Sequence, residues 1–263
     1  MTKVRYERSG AASVLTIDRP GRRNAVDAET ADELLSGYRR FEDDDDARVL
    51  VLTGEGDEAF CAGADLKAIA AAAEDPERAA EAPVIDRPEG PMGFTRLVPT
   101  KPAIAAISGW CLAGGLELAL WCDLRIATET ARLGYPERRW GVPLIDGGTQ
   151  RLPRIVGLGR ALDLILTGRI MEAAEAREWG LVNEVVPPGG HLERALEVAE
   201  GLAGFPQRTM LSDRRAAHEG LGLPLHDALR LEADLGRASI ETGLRGATRF
   251  AAGEGRHGKG AGA

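Results

Sequence analysis

Three stretches of this chain run almost without a polar break: Ser13-Val14-Leu15-Thr16-Ile17, Arg48-Val49-Leu50-Val51-Leu52-Thr53 and Ala103-Ile104-Ala105-Ala106-Ile107-Ser108. A strand with one wet face alternates apolar and polar residues, whereas a nearly continuous, often β-branched run reads as a strand covered on both faces. Asp123–Ala127 and Leu181–Val186 are further candidates. Helical patterns lie between these runs. From Asp27 to Phe41, the residues Ala31, Leu34, Leu35, Tyr38 and Phe41 fall on one stripe at helical spacing. Strand and helix in alternation predict an α/β layered core.

After Val186 the pattern changes to helix after helix. Glu193–Leu202, Gln207–Glu219, His226–Leu235 and Leu244–Ala251 each carry apolar residues at three- and four-residue steps. Pro187-Pro188-Gly189-Gly190 reads as a hinge. The expected organisation is therefore an α/β core over 1–186 and a helical region over 187–263. Ala72–Pro91, rich in Ala, Glu and Pro, and the Gly-rich tail Gly253–Ala263 read as loosely ordered.

Composition excludes several classes. At 44% hydrophobic and 28% charged residues, the 263-residue chain is globular rather than disordered. The longest apolar window, Gly109–Leu120, is short for a membrane span and contains Glu117. The charged opening Met1–Arg8 lacks the apolar run of a secretion signal, so a cytoplasmic protein is expected, with no membrane partner. Three cysteines without ligand spacing predict neither a disulfide framework nor a metal site. A net charge of -8 argues against a nucleic-acid partner, because such affinity rests on neutralising phosphates.

Three segments could carry chemistry. Phe60-Cys61-Ala62-Gly63-Ala64-Asp65-Leu66-Lys67 is a small-residue turn after a strand, where a ligand can approach the main chain. Taken alone, it reads as a tight strand-to-helix turn. In Ala113–Asp123, Gly114-Gly115 opens an almost wholly apolar helix with Glu117 one turn in. A carboxyl group surrounded by Leu116, Leu118 and Leu120 needs a partner or a raised pKa. The third segment holds Tyr135-Pro136-Glu137-Arg138-Arg139, then Asp146-Gly147-Gly148-Thr149. Taken alone, Glu137 reads as part of a solvated ion-pair cluster with the two arginines. All four histidines fall beyond residue 190, which weakens any catalytic triad.

Together these blocks resemble the enoyl-CoA hydratase/isomerase, or crotonase, superfamily. Asp18-Arg19-Pro20 with Asn24-Ala25, Phe60–Lys67, Ile107–Asp123, Pro136-Glu137 with Gly147–Leu152, and Leu166-Thr167-Gly168 follow the family's order and spacing over nearly the whole chain. The resemblance implies a spiral core of repeated ββα units and a helical trimerisation region, giving a homotrimer or homohexamer. It implies an acyl-CoA thioester as substrate, with coenzyme A part of that substrate and no metal or other cofactor. Ala64 and Gly114 match the two N–H donors of the oxyanion hole. Glu117 and Glu137 match the catalytic glutamates, with Glu117 taken as base on water and Glu137 as acid toward C2. Arg23, Ala25, Ala62, Asp65, Leu66, Lys67 and Phe250 match positions near the CoA moiety.

The implied reaction is hydration of a trans-2-enoyl-CoA to a 3-hydroxyacyl-CoA in fatty acid metabolism. The alternatives are enoyl- or dienoyl-CoA isomerisation, another CoA-thioester reaction, or non-catalytic acyl-CoA binding. Two departures from the family pattern stand out. Ala113 replaces the first glycine of a common triple, and Leu144-Ile145-Asp146 is bulky and acidic where better-known hydratases carry small residues. Asp146 reads either as an extra acid near Glu137 or as a cap on the helix that follows.

Overall fold

The computed structural model describes residues 2–75 and 85–254. Of the two stretches read as loosely ordered, 76–84 and 255–263 lie outside the described residues. The chain forms two compact units, Met1–Ala199 and Glu200–Ala263.

The first unit holds two sheets. The larger has six strands: β1 (Val4–Ser9), β2 (Ala12–Ile17), β3 (Val49–Gly54), β5 (Ala103–Ile107), β7 (Leu124–Thr128) and β10 (Glu184–Val186), hydrogen-bonded in that order. The smaller has four: β4 (Ala59–Cys61), β6 (Trp110–Leu112), β8 (Arg132–Gly134) and β9 (Ile170–Glu172). All neighbours are parallel except β1 with β2 and β8 with β9. Successive segments supply one strand to each sheet and then a helix: β3, β4 and α2 (Leu66–Glu74), then β5, β6 and α3 (Gly114–Trp121). These are the repeated ββα units that the resemblance implies.

The apolar runs become β2, β3, β5 and β7, and every residue of β2, β3 and β5 is buried. Their register aligns Leu15 with Leu52 and Leu52 with Ala105. Helix α1 (Ala28–Asp43) covers them with the predicted stripe, Ala31, Leu34, Leu35, Tyr38 and Phe41. Its first turn is fixed by Asp27, whose carboxylate accepts the Thr30 N–H at 2.9 Å.

Two expectations need correction. Of Leu181–Val186, only the last three residues join the sheet. The Leu181 and Val182 N–H groups instead donate to Ala176 O at 2.9 and 3.1 Å, closing α6 (Ala173–Glu178). The final two predicted helices are one, α9 (Leu225–Ala251), running through Gly236 and Gly243. No proline interrupts it, and Ser239 Oγ donates to Arg208 O of α8 (Gln207–Gly220) at 3.1 Å, holding its middle in place. Helix α7 (His191–Ala203) follows the Pro187–Gly190 turn as expected. The remaining helices are α4 (Gly148–Val156) and α5 (Leu158–Thr167). Among the described residues, no helix is long and apolar enough to cross a membrane.

The turn from β6 into α3 is strained at one residue. Ala113 adopts φ 53° and ψ −128°, a region that an L side chain resists. Ala113→Gly should relieve about 1–3 kcal/mol of strain, less about 0.4–1 kcal/mol for the freer unfolded chain. Urea unfolding of the variant should therefore show a higher midpoint, and an unchanged or lower midpoint would contradict this reading.

Candidate active site

Strands β4, β6 and β8 lie side by side and parallel, with Cys61 opposite Cys111 and Cys111 opposite Leu133. The segments that follow therefore leave the sheet from the same end, the usual position for a ligand in parallel sheets. The first holds Ala64, the second opens α3 at Gly114, and the third is a 3-10 turn, Pro136–Trp140, holding Glu137. Glycine lets the segments touch. Gly63 sits at φ +91°, and a Cβ there would lie 2.8 Å from Ala113 Cβ and 3.0 Å from Gly114 N. A Cβ on Gly115 would lie 2.1 Å from Cys61 O.

This packing leaves two backbone donors unused. Val26 pairs with Ala64 through Val26 N–H to Gly63 O and Asp65 N–H to Val26 O, both 2.8 Å. That ladder uses the groups on either side of Ala64 and spares its own N–H. The Gly114 N–H is the first of α3, where the helix dipole adds positive character. Among the described residues, neither N–H donates to another protein group. Ala64 and Gly114 both line a cavity of about 430 Å³, whose walls include Leu66, Ile69, Met92, Trp140, Val142 and Leu144.

Three carboxyl groups line the same cavity: Glu117, Glu137 and Asp146, with 2%, 5% and 3% of their surface exposed. Glu117 Oε1 accepts the Asp146 N–H at 3.0 Å and the Gly148 N–H at 2.7 Å. Burial pushes its pKa up to about 8; the Gly148 bond opposes this, and the charges of Asp146 and Glu137 add to it. Burial likewise pushes Glu137 up to about 7, against the pull of its own N–H and of Arg138. Among the described residues, no other residue donates a hydrogen bond to either Glu137 oxygen.

The ion-pair reading of Glu137 is therefore overturned. Among the described residues it makes no salt bridge, and Arg138 Nε instead donates to Ile165 O at 3.1 Å. Asp146 is not a helix cap either. Gly147 occupies the N-cap of α4, while Asp146 Oδ1 accepts the Met92 N–H at 3.0 Å and the Thr95 hydroxyl. Burial raises the Asp146 pKa against those two bonds.

Residues 92–97 anchor this arrangement. Phe94 packs against Tyr38 and Trp121 with ring centroids 5.3 and 4.6 Å apart, and Trp121 Nε1 donates to Leu97 O at 2.8 Å. Arg151 Nη1 donates to Asp146 O at 2.9 Å, and Nη2 reaches Thr95 O. A Cβ on Gly90 would lie 2.2 Å from Thr95 Oγ1, so that position must stay bare. Met92 and Thr95 were not singled out from sequence. Their contribution is a backbone N–H and a hydroxyl meeting an acid some fifty positions away, and no local spacing reports such a contact.

The residues matched to the CoA moiety divide into groups. Ala62 and Leu66 line the cavity. Arg23 and Ala25 are brought beside them: Ala62 N–H donates to Arg23 O at 3.0 Å, and Ala25 is buried one residue before Val26. Arg23 is exposed and pairs with Glu58 at 2.9 Å. The Asp65 carboxylate caps α2 through the Lys67 and Ala68 N–H groups, both at 3.2 Å, and pairs with Arg19 at 3.0 Å. Lys67 is exposed. Phe250 is exposed on α9 in the second unit.

Comparison with known proteins agrees with this architecture. The Enoyl-CoA hydratase/isomerase family pattern matches residues 7–253. The chain is 38% identical over 232 residues to a crotonyl-CoA hydratase of Syntrophomonas wolfei, covering 87% of this chain and 86% of that one. It is 35% identical over 238 residues to a short-chain-enoyl-CoA hydratase of Clostridium acetobutylicum, covering 89% and 88%. A crystal structure of enoyl-CoA hydratase from Bacillus anthracis superposes with a TM-score of 0.85 at 36% identity, covering 94% of this chain and 95% of that one. With the ββα core, the spared backbone donors and the buried acids in place, the chain belongs to the enoyl-CoA hydratase/isomerase family of the crotonase superfamily.

Proposed function

We propose that this protein is a cytoplasmic enoyl-CoA hydratase that adds water to a trans-2-enoyl-CoA, giving a 3-hydroxyacyl-CoA. The observation that carries this reading is one apolar cavity lined by two spared N–H donors and two buried glutamates. Coenzyme A enters as part of the substrate, and hydration involves no redox step. Relatives named as hydratases of short enoyl and crotonyl thioesters support the same reading.

In this mechanism the thioester oxygen sits between the Ala64 and Gly114 N–H groups. Glu117 takes a proton from water as the oxygen attacks C3. The C2=C3 electrons move toward the thioester, and the enolate oxygen gains charge against the two fixed donors. Such a donor is worth about 3–4 kcal/mol when removed. Collapse of the enolate takes a proton onto C2 from Glu137, completing addition of one water.

One acid must be ionised and the other protonated. With values of about 8 and about 7, the pair shares one proton near neutral pH. The ordering of those values alone would place it on Glu117. We assign it to Glu137 from the hydrogen bonds: two N–H donors on Glu117 Oε1 stabilise a carboxylate there, whereas, among the described residues, no other residue donates to the Glu137 oxygens and only its own N–H opposes the rise. The bonds are given the greater weight because they are specific to one acid, while burial acts on both.

Residues Arg23, Ala25, Ala62, Asp65, Leu66 and Lys67 are proposed to lie along the CoA moiety, and Phe250 to reach the CoA of a neighbouring subunit in the oligomer. Asp65 acts by shaping the turn rather than by direct contact, since its carboxylate is already engaged. Asp146 supports Glu117 through its N–H. Because it adds a third acid to the cavity, it also favours a second reading, double-bond isomerisation by proton shuttling. The active form is proposed to be a homotrimer or homohexamer, which sedimentation would show as three or six times 28.0 kDa.

The enoyl-thioester absorbance should fall on mixing protein with short- and medium-chain trans-2-enoyl-CoAs, with 3-hydroxyacyl-CoA as product. A shifted double bond in the product would support the isomerase reading instead. Glu117→Gln and Glu137→Gln should each slow turnover about 10²- to 10⁴-fold; retention of either rate within a few-fold would contradict the mechanism. The pH profile of kcat/KM should rise through about 7, where the pair loses its first proton, and fall through about 8, where it loses its second. A profile flat between pH 6 and 9 would overturn the shared-proton assignment.

A further inference from the structure

The Glu117 carboxylate is held from one short loop. Asp146 and Gly148 donate their N–H groups to the same oxygen, at 3.0 and 2.7 Å. Backbone N–H groups converging in a turn make a concave site for an anion. Gly148 also opens the nine-residue helix α4, whose N-terminal end favours negative charge. Such a loop stabilises a carboxylate only while its two donors stay in place. Arg151, one turn into α4, reaches back to it: Nη1 donates to Asp146 O at 2.9 Å and Nη2 to Thr95 O. The guanidinium thereby ties the loop to residues 92–97, which the Tyr38, Phe94 and Trp121 rings anchor in the core. Gly147, between the two donors, leaves room for this: a Cβ there would lie 2.1 Å from Arg151 Nη1.

We propose that Arg151 is a positioning residue that holds the Asp146–Gly148 loop against Glu117 and so keeps that acid ionised for its work as base. The role rests on the hydratase reading above. Arg151 is not among the residues lining the cavity, so it acts through Glu117 and not on the substrate. Two effects have the same sign. The clamp keeps both N–H donors on the carboxylate, and the fixed positive charge beside the acids favours their ionised form.

The other groups around Glu117 act differently. Asp146 and Glu137 oppose its ionisation by like charge. Arg138 acts on Glu137, and Arg96 acts on Asp146 while donating to Ile145 O at 3.2 Å. The Tyr135 phenol and the Cys61, Cys111 and Cys122 thiols are buried, and burial pushes all four pKa values up, which keeps them neutral. Burial lowers the Arg151 pKa, and the charges of Glu117 and Asp146 oppose that fall.

Arg151→Gln removes both the charge and the clamp. The direct readout is the carboxyl titration of Glu117, followed by carbon NMR in glutamate-labelled full-length protein and assigned with Glu117→Gln. Losing support for the charged form raises the pKa, so the titration should move up by about one pH unit. In turnover at pH 6, kcat should fall about tenfold, the equivalent of one pH unit, with KM unchanged. Arg151→Lys keeps the charge without the planar fork and should move the titration up by about half as much, which keeps the idea testable if the glutamine variant folds poorly. An arginine with a structural role alone would lower the urea midpoint in both variants and leave the Glu117 titration in place, and that result would overturn the proposal. Absence of hydration by the wild type would count against the hydratase reading, while the NMR shift would still decide whether Arg151 governs Glu117.

Discussion

The site depends on the parallel pairing of three strands only three residues long. Because β4, β6 and β8 run parallel, the chain leaves each at the same end, and Ala64, Gly114 and Glu137 meet although 73 positions separate the first from the last. Nothing local to any one segment achieves this. The six-stranded sheet makes it possible by anchoring β3, β5 and β7, the strands that deliver β4, β6 and β8. Its fully buried strands supply the apolar area, at about 25 cal/mol per Å², against which short strands and tight turns are held.

The stability of the core is set against the chemistry of the site. Glu117, Glu137 and Asp146 are buried beside one another, and burial raises the pKa of each. A folded-state value above the unfolded one means that folding is favoured with the acid protonated, and that this advantage is lost as pH rises toward the folded value. The protein thus gives up stability near neutral pH by burying these acids. Ala113 adds backbone strain at the turn that presents the Gly114 N–H. The aromatic group of Tyr38, Phe94 and Trp121 works in the other direction, fixing the segment whose Met92 and Thr95 hold Asp146, which in turn donates to Glu117.

Much of the core was legible from the sequence because period and burial act locally. The stripe from Ala31 to Phe41 and the runs at Val14–Ile17 and Val49–Thr53 could hardly pack otherwise. Strand β1 was not legible: Val4–Ser9 is a charged edge strand, and its polarity hides it. Strands of three residues are too short to show a period. Glu117 and Glu137 were identifiable as chemical residues by resemblance, but their partners were not. Glu137 beside two arginines suggests an ion pair, and only the path of the turn shows Arg138 directed at Ile165. Asp146 before Gly147-Gly148 suggests a cap, and only the tertiary approach of residues 92–95 shows where its carboxylate is used. The apparent gap between two terminal helices was a matter of composition, since Gly236 and Gly243 weaken a helix without ending it.

The central claim is that two backbone donors from separate ββα units converge on one substrate oxygen. The most direct test is a crystal structure of the Glu117→Gln, Glu137→Gln double variant with an unreacted trans-2-enoyl-CoA bound. The account predicts the thioester oxygen about 2.7–3.1 Å from both the Ala64 and Gly114 nitrogens, with C2 and C3 between residues 117 and 137. A thioester oxygen held by any other pair of groups, with those two N–H donors unengaged, would contradict it.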